Sequence, residues 1–178
     1  TPARRHAMST PTTLRAPGIA ILCADGAVPA VGHTTWNQVA RLGEFKGHPQ
    51  GAFAFTPEVF AELIANFAET ANGRVPVDYE HTSELLPDNA AQEGVPAVAW
   101  VVALDDRGPD GLWGAFEWVD AQAVEYVRAR RYLYLSPAVH FDATHRESGE
   151  AIGARLTSVA LTNHPFIDGM APLTASEP

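Results

Sequence analysis

A predicted β-hairpin places the strongest constraint on what this chain can fold into. The apolar runs AVAWVVAL (Ala97–Leu104) and LWGAFEW (Leu112–Trp118) are separated only by the segment DDRGPDG. Apolar runs rich in β-branched and aromatic residues on either side of a Gly/Pro turn are typical of two paired antiparallel strands. We therefore expect a sheet that is antiparallel around this hairpin.

Further strands are predicted on both sides of the hairpin, and helices are few. Thr56 and Pro57 begin one predicted helix and Asp120 caps the other. The stretch 36–55 is expected to be irregular, with short strands near ARLGEF and AFAF. Many strands without regular βαβ alternation predict an α+β fold, in which a mostly antiparallel sheet closes into a small β-barrel flanked by a few helices. The other predicted strands are GIAILC (Gly18–Cys23), VPVDYEH (Val75–His81), YLYLSPAVHF (Tyr132–Phe141) and ARLTSVALTN (Ala154–Asn163).

The length of the chain predicts one folded domain. Its 178 residues are enough for a single sizeable core. Residues 1–17 are interpreted as a leader and flexible arm, because MSTPTTLRAP is polar and contains proline. The folded domain is predicted over 18–173, and a short tail over 174–178.

The charge and the cysteine content exclude several classes of protein. The net charge is -9, from 21 acidic and 12 basic residues, which argues against nucleic acid as the main partner. The lone Cys23 cannot form an internal disulfide and so favours a reducing compartment. The sequence has no signal-peptide pattern, and no apolar run approaches the roughly 20 residues of a membrane span. We expect a soluble intracellular protein.

Ser136, in YLYLSPAV, is a candidate nucleophile. Period-two alternation places Ser136 on the same strand face as Tyr134 and His140. Pro137 cannot donate to a sheet ladder, so the strand must lie at an edge or be bulged beside the serine. A bulge there is one way to direct the hydroxyl out of the sheet. A serine in a strand is usually only a hydrogen-bonded filler, so this segment alone does not establish catalysis.

A serine nucleophile needs a base, and the base needs an orienting partner. Of the seven histidines, His81, His140 and His164 lie on or beside predicted strands. His140 is four residues from Ser136 along one strand, about 13 Å away, which is too far for contact. His81 lies on a separate strand that the fold could bring alongside the serine.

Three segments resemble one known family in their order and their motifs. They are NFAETANGRVPVDYEHTSE, AVAWVVAL…GLWGAFEWVDAQAVEYVRARRYLYLSPAV and LTSVALTNHPFIDGMAPL. Over Gly18 to Leu173 the chain resembles the I protein of bacteriophage Mu and its relatives in Mu-like prophages, which are head-maturation (prohead) proteases. These are more distantly similar to other tailed-phage prohead proteases and to herpesvirus assemblins, which are serine endopeptidases with a compact β-barrel flanked by helices.

The resemblance implies roles for individual residues. The family's base ends a strand after the first long helix, which matches His81, and its nucleophile matches Ser136. The third residue of many relatives is a carboxylate in Leu-x-Glu-(Ile/Val)-Ser, where this chain has LTSVA and therefore Ser158. A serine hydroxyl can accept from the imidazole N–H but cannot stabilise imidazolium as a carboxylate does. Ser158 is the preferred third residue, and the alternatives are Asn163 and His164.

Two carboxylates beside His81 are further alternatives for the orienting role. Asp78 and Glu80 alternate away from His81 if the strand stays regular. They are therefore predicted to be surface or salt-bridging groups rather than members of a triad.

The resemblance also implies substrates and a compartment. Phage scaffold protein and major capsid protein would be cleaved inside the assembling procapsid in the bacterial host cytoplasm, with self-cleavage as a further option. No cofactor is implied, and neither nucleic acid nor a membrane is an expected partner. Distant herpesvirus relatives include dimers, which leaves a homo-oligomer open. Since relatives often carry a C-terminal scaffolding extension, the chain is also interpreted as a truncated or self-cleaved form.

Two other interpretations compete with the protease. One is a non-catalytic capsid-assembly or scaffold module of the same fold, which the serine at position 158 keeps open. The other is a metal-dependent hydrolase, because carboxylate and imidazole ligands suit a divalent metal. Its candidate ligands are Asp78, Glu80, His81, His140, Asp142 and His145. Their spacing matches no helix-borne or knuckle template.

Overall fold

The computed structural model describes residues 29–69, 73–85 and 94–173, together with the backbones of two short N-terminal strands. The strands are β1 Leu14–Ala16, β2 Ile19–Ile21, β3 Thr34–Ala40, β4 Gly43–Phe45, β5 Phe53–Phe55, β6 Val75–Tyr79, β7 Ala99–Asp106, β8 Leu112–Trp118, β9 Tyr134–Thr144 and β10 Ala151–Thr162. The helices are α1 Pro57–Phe67, α2 Thr82–Leu85 and α3 Ala121–Arg128, with a 3₁₀ turn at Gly108–Asp110. No helix in these described ranges is long and apolar enough to cross a membrane.

The main sheet has six strands in the order β3-β8-β7-β6-β10-β9. Every neighbouring pair is antiparallel except β6 and β10, which run parallel. The prediction of an α+β fold with a mostly antiparallel sheet is therefore confirmed.

The predicted closure into a barrel is wrong. Strands β3 and β9 lie at the two edges of the sheet and do not pair with each other, so the sheet curls into an open half-barrel. Closure would require a continuous ladder along the free side of β9, whose Pro137 has no N–H to donate. The expectation that Pro137 marks an edge strand is confirmed.

Local signals account for the hairpin and for the two longer helices. Strands β7 and β8 pair from Ala99 with Trp118 to Asp106 with Leu112, as the sequence predicts. The Thr56 hydroxyl accepts from the Val59 N–H at 3.3 Å and so caps α1. The Asp120 carboxylate accepts from the Ala123 N–H at 2.6 Å and caps α3. Each cap satisfies a backbone donor that has no partner inside its helix.

The hydrophobic core lies between one face of the sheet and helices α1 and α3. Burial of these side chains is the main force that holds the helices onto the sheet. Fully buried members include Phe60, Leu63, Val75, Val77, Val101, Leu112, Phe116, Trp118, Val127, Leu135, Leu156, Val159 and Leu161.

Strand β3 is longer and more regular than the sequence indicates. It contains the polar residues Thr35 and Asn37, which are 2% and 7% exposed. The Thr35 hydroxyl accepts from Trp118 Nε1 at 2.8 Å and from Asn37 Nδ2 at 3.0 Å, so the buried polar groups are paired. Polar residues inside a buried strand hide the apolar pattern that sequence analysis relies on.

The N-terminal segment departs from the predicted arm at one point. Leu14–Ala16 pairs antiparallel with Ile19–Ile21, which forms part of the strand predicted over 18–23. The remainder of the predicted arm, residues 1–13 and 17, lies outside the described residues, as does the tail 174–178. The domain boundaries stay predictions.

Candidate functional site

Ser136 lies on the edge strand β9, in a row that crosses three strands. It pairs with Ala160 of β10, and Ala160 pairs in turn with Asp78 of β6. Residues opposite one another on neighbouring strands have side chains on the same face of the sheet. Ser136 and Asp78 therefore share a face, separated by two strand spacings of roughly 10 Å in all.

This face is opposite to the core. The neighbouring row in sequence, Leu135, Leu161 and Tyr79, packs with the hydrophobic core. We call the side of β6, β10 and β9 that carries Asp78, Ser136, Ser158 and Thr162 the polar face. Ser158 is only 1% exposed and Thr162 is 3% exposed, whereas Ser136 is half-buried. Something other than solvent therefore covers part of the polar face.

The turn after β6 provides that cover. The prediction that the strand extends to His81 is wrong, because β6 ends at Tyr79. Glu80 and His81 have φ angles of 51° and 56°, in the left-handed region that non-glycine residues seldom adopt. They reverse the chain, and α2 then runs back over β6 and β10. The His81 carbonyl accepts from the N–H groups of Glu84 at 3.0 Å and Leu85 at 3.1 Å, so His81 begins the helix.

Asp78 fixes this helix to the sheet. One carboxylate oxygen, Oδ2, accepts from the Ser83 N–H at 2.7 Å and from the Ser83 hydroxyl. The other oxygen, Oδ1, is buried and has no hydrogen-bond partner within the described ranges. Asp78 is 2% exposed, so its predicted surface position is wrong. The prediction assumed that β6 stays regular and open to solvent, whereas α2 folds over it.

Ser158 contacts a carboxylate on the same helix. Its hydroxyl donates to Glu84 Oε1 at 2.7 Å, and the Thr157 hydroxyl donates to the same oxygen at 2.7 Å. Distances of this kind are typical of charge-assisted hydrogen bonds to a carboxylate. Ser158, the preferred third residue, is therefore bonded to an acidic residue from α2.

The other acidic residue of the turn is Glu80, which is bound farther along β10. Its carboxylate accepts from the Thr162 hydroxyl at 2.8 Å, and its N–H donates to the Leu161 carbonyl at 3.1 Å. Glu80 is exposed, in agreement with its predicted surface position.

The two alternative partners for His81 lie just beyond β10. Both ends of the Asn163 amide bind the backbone before β9: Oδ1 accepts from the Leu133 N–H at 3.1 Å and Nδ2 donates to the Arg131 carbonyl at 2.8 Å. His164 is exposed, and its backbone N–H donates to the Thr162 hydroxyl at 3.0 Å. Asn163 therefore has its side chain committed to the backbone, while the imidazole of His164 is free of hydrogen bonds to the described residues.

The fold brings Ser136, Ser158 and the start of α2 to one face, but it does not join Ser136 to His81. Neither the Ser136 hydroxyl nor the His81 imidazole has a hydrogen-bond partner among the residues that the structure describes. Catalytic hydrogen bonds are often long or poorly aligned before substrate binds. Ser136 and His81 are both half-buried, and neither side chain is engaged in a hydrogen bond to the described residues.

A group of tyrosines lies behind the turn, on the core side of the sheet. The Tyr79 ring lies beside Tyr132, tilted, with 5.2 Å between ring centroids, and meets Tyr126 edge-to-face at 6.3 Å. Burial, with the negative charge of Asp120 second, raises the pKa of Tyr79 to about 12. The Tyr79 hydroxyl is buried without a hydrogen-bond partner in the described part of the chain. It stays protonated at neutral pH, and the neutral side chain packs behind the turn.

The candidate metal ligands do not come together. His140 and Asp142 are exposed near the far end of β9, and His145 pairs through Nε2 with Glu69 at 3.1 Å. Across residues 29–69, 73–85 and 94–173, no group of three or more His, Cys, Asp or Glu residues could hold a metal ion.

Sequence reasoning missed Ser83 and Glu84. Ser83 lies five residues after Asp78 and Glu84 lies three residues after His81, but their contacts depend on the left-handed reversal at Glu80 and His81. The only available signal was the short motif HTSE, in which an acidic residue follows His81 by three positions. That spacing becomes informative only when β6 is known to end at Tyr79.

Fold and site together define an α+β protein whose open half-barrel carries a polar face with a free serine, partly covered by a short helix that begins at a histidine. The chain belongs to the family described as Mu-like prophage I protein, N-terminal domain, whose sequence profile matches residues 37–174. This confirms the resemblance that the three sequence segments indicate.

Other comparisons add little to this assignment. No curated protein sequence matches the chain significantly. One solved structure to which the chain is similar is a room-temperature crystal structure of Kaposi's sarcoma-associated herpesvirus protease in complex with an allosteric inhibitor. It is 14% identical, with a TM-score of 0.40, and the match covers 78% of this chain and 72% of that chain. We transfer no residue role from a likeness this distant.

Proposed function

We propose that this protein is a serine endopeptidase of phage head maturation, with Ser136 as the nucleophile and His81 as the general base. Its membership in the Mu-like prophage I protein family supports the proposal, since the resemblance implies a prohead protease. The observation that carries the proposal is the position of Ser136. Its half-buried hydroxyl has no hydrogen-bond partner in the described ranges and lies on the face that α2 partly covers.

The backbone at His81 supports the same assignment. Two consecutive non-glycine residues in the left-handed region are unusual and cost of order 1 kcal/mol each. Such strain persists where the surrounding contacts hold it, and it is concentrated at functional sites. Here the contacts of Asp78 and Glu84 with α2 and β10 hold it.

The proposed reaction uses these two residues in sequence. The Ser136 oxygen attacks the carbonyl carbon of the scissile peptide bond while His81 takes the hydroxyl proton. The tetrahedral intermediate then collapses, the C–N bond breaks, and His81 returns the proton to the leaving amine. Water hydrolyses the acyl-enzyme by the same steps, which restores the serine and releases the acid. A serine needs such a base because its free hydroxyl is scarcely ionised near neutral pH.

The substrates follow from the family rather than from the geometry. We propose segments of the phage scaffold protein and of the major capsid protein, cleaved inside the procapsid in the bacterial cytoplasm. Self-cleavage and assembly into a homo-oligomer are part of the same proposal. A net charge of -9 is consistent with a protein rather than a nucleic-acid substrate.

The test is cleavage of purified scaffold and capsid proteins by the wild type and by Ser136→Ala. We expect Ser136→Ala to lose cleavage and to keep the thermal unfolding midpoint, because a single unpaired hydroxyl contributes little packing. Ser148→Ala is the matched control, since Ser148 lies in an exposed turn after β9. If Ser136→Ala cleaves these proteins at the rate of the wild type, the serine-protease proposal is wrong.

The same assay distinguishes the competing functions. Cleavage that a chelator abolishes, and that Ser136→Ala retains, would favour the metal-dependent hydrolase. Absence of cleavage by a correctly folded wild type, on both proteins, would favour the non-catalytic assembly module.

A further inference from the structure

We infer that Glu84 is a positioning residue of the proposed site, which supplies through Ser158 the negative charge that a serine at position 158 cannot provide. The inference rests on the proposed function and deepens it by one residue. It assigns a task to a carboxylate on α2 that neither the family pattern nor the sequence indicates.

The contact between Glu84 and Ser158 is specific. The Ser158 hydroxyl, 1% exposed, gives its only proton to Glu84 Oε1 at 2.7 Å. Thr157 donates to the same oxygen at the same distance, so that two neighbouring residues of β10 converge on one carboxylate oxygen. A charged acceptor makes both bonds stronger than bonds between neutral groups.

The direction of the bond decides what Ser158 can do next. A hydroxyl has one donor and two lone pairs, and donation to Glu84 leaves the lone pairs available. The Ser158 oxygen can therefore accept a further hydrogen bond. In the proposed mechanism the donor is the imidazole N–H of His81. A hydroxyl that is bonded to a carboxylate carries part of that negative charge toward its own donor. This offsets the weakness of an isolated serine as a partner for imidazolium.

Glu84 and His81 also belong to one structural unit. Glu84 donates its backbone N–H to the His81 carbonyl at 3.0 Å, and its side chain binds β10. Asp78 binds Ser83 in the same helix. The position of the His81 backbone therefore depends on how α2 is held against the sheet, and Glu84 binds α2 to Ser158 of β10.

Two roles for Glu84 have to be separated by experiment. It could act through its charge, or it could only fasten α2 to the sheet. Glu84→Gln separates them, since the amide oxygen still accepts from both hydroxyls while the negative charge is lost. If Glu84 only fastens α2 to the sheet, Glu84→Gln should leave the rate of reaction at Ser136 nearly unchanged. If Glu84 acts through its charge, that rate should fall.

The measurement is the inactivation of the intact protein by a fluorophosphonate, with the maximal rate kinact and the binding constant KI determined separately. For Glu84→Gln we expect kinact to fall roughly 10- to 100-fold with KI within about twofold. This is smaller than the ~10⁴-fold loss on neutralising a triad aspartate, because a hydroxyl stands between. Glu62→Gln is the matched control: its carboxylate accepts from the Ala154 N–H of β10 at 2.8 Å, and kinact should stay within about twofold.

A second variant tests whether the charge can be relocated. In Glu84→Gln/Ser158→Asp the carboxylate moves to position 158. We expect this variant to regain most of the lost kinact. A folded double variant that is no faster than Glu84→Gln would count against a charge role.

The outcomes separate the inference from the function on which it rests. If the folded wild type is not labelled, the proposed function fails and the inference falls with it. If the wild type is labelled at Ser136 and Glu84→Gln reacts as fast as Glu62→Gln, the function stands and the inference is overturned. A change in KI alone, or one explained by a lower unfolding midpoint, overturns it as well. If the double variant does not fold, the comparison of Glu84→Gln with Glu62→Gln decides alone.

Discussion

Replacement of His81 by asparagine tests the proposed base while it preserves the turn that carries it. His81 has a φ of 56°, so the substitute must tolerate the left-handed region. Asparagine does so better than other non-glycine residues, whereas alanine is expected to cost about 1 kcal/mol more. The His81 imidazole makes no hydrogen bond to the described residues, so no partner is left unpaired. We expect the free energy of unfolding of His81→Asn to stay within ~0.5 kcal/mol of the wild type.

The effect on activity should be far larger. General-base catalysis typically contributes 10²- to 10⁴-fold, and the proton of Ser136 has no other acceptor in the proposed mechanism. We expect kcat/KM to fall about 10³-fold, or ~4 kcal/mol of barrier. The assay is cleavage of the scaffold protein at several enzyme concentrations, with urea unfolding of the same preparations. His81→Ala should lose similar activity but unfold at a lower urea concentration.

A small loss of activity in His81→Asn would exclude His81 as the base. If His81→Asn stays folded and its activity falls less than about tenfold, the loss amounts to only ~1.4 kcal/mol of barrier. The base would then be another group, with His164 as the first candidate, and the left-handed turn would have a structural role only.

Two further predictions concern the fold. Gly111→Ala should destabilise the protein by about 3 kcal/mol or more, because Gly111 has a φ of 86° and a Cβ there would lie 2.2 Å from the Ala40 carbonyl oxygen. Gly108→Ala, with a φ of 58° and open space, should cost only about 1 kcal/mol. Urea midpoints that do not differ between the two would contradict the packing of β3 against the turn before β8. The pKa of Tyr79 is raised from 10.0 to about 12, so its contribution to stability is full below pH 10 and is lost as the pH rises through 12. Tyr79→Phe should remove the tyrosinate absorbance change near pH 12 and reduce that loss of stability; an unchanged titration would contradict the burial of its hydroxyl.

Much of the fold can be predicted from the sequence, because the features that indicate it involve residues close together in the chain. The turn between β7 and β8, the caps Thr56 and Asp120, and the edge position implied by Pro137 each depend on a few adjacent residues. The open sheet does not follow from such signals, because it depends on whether β3 and β9 meet. The full length of strand β3 does not follow from the sequence either, since Thr35 and Asn37 break the apolar pattern, and their hydrogen bonds join them to each other and to the distant Trp118.

Part of the candidate site could be predicted from the sequence and part could not. Ser136 and His81 could be chosen from strand context and from the resemblance to a family. The end of β6 could not, because no glycine or asparagine marks the left-handed pair at Glu80 and His81. The contact of Glu84 with Ser158 joins residues 74 positions apart, and no local sequence pattern indicates it.

Ser136 is proposed to act as an activated nucleophile on the polar face. The most direct measurement is to treat the folded protein with a fluorophosphonate, with and without a chelator, and to locate the adduct by peptide mass spectrometry. We expect one adduct on Ser136, unaffected by the chelator and strongly reduced in His81→Asn. An adduct on another serine, or no adduct on a protein with a cooperative unfolding transition, would contradict it.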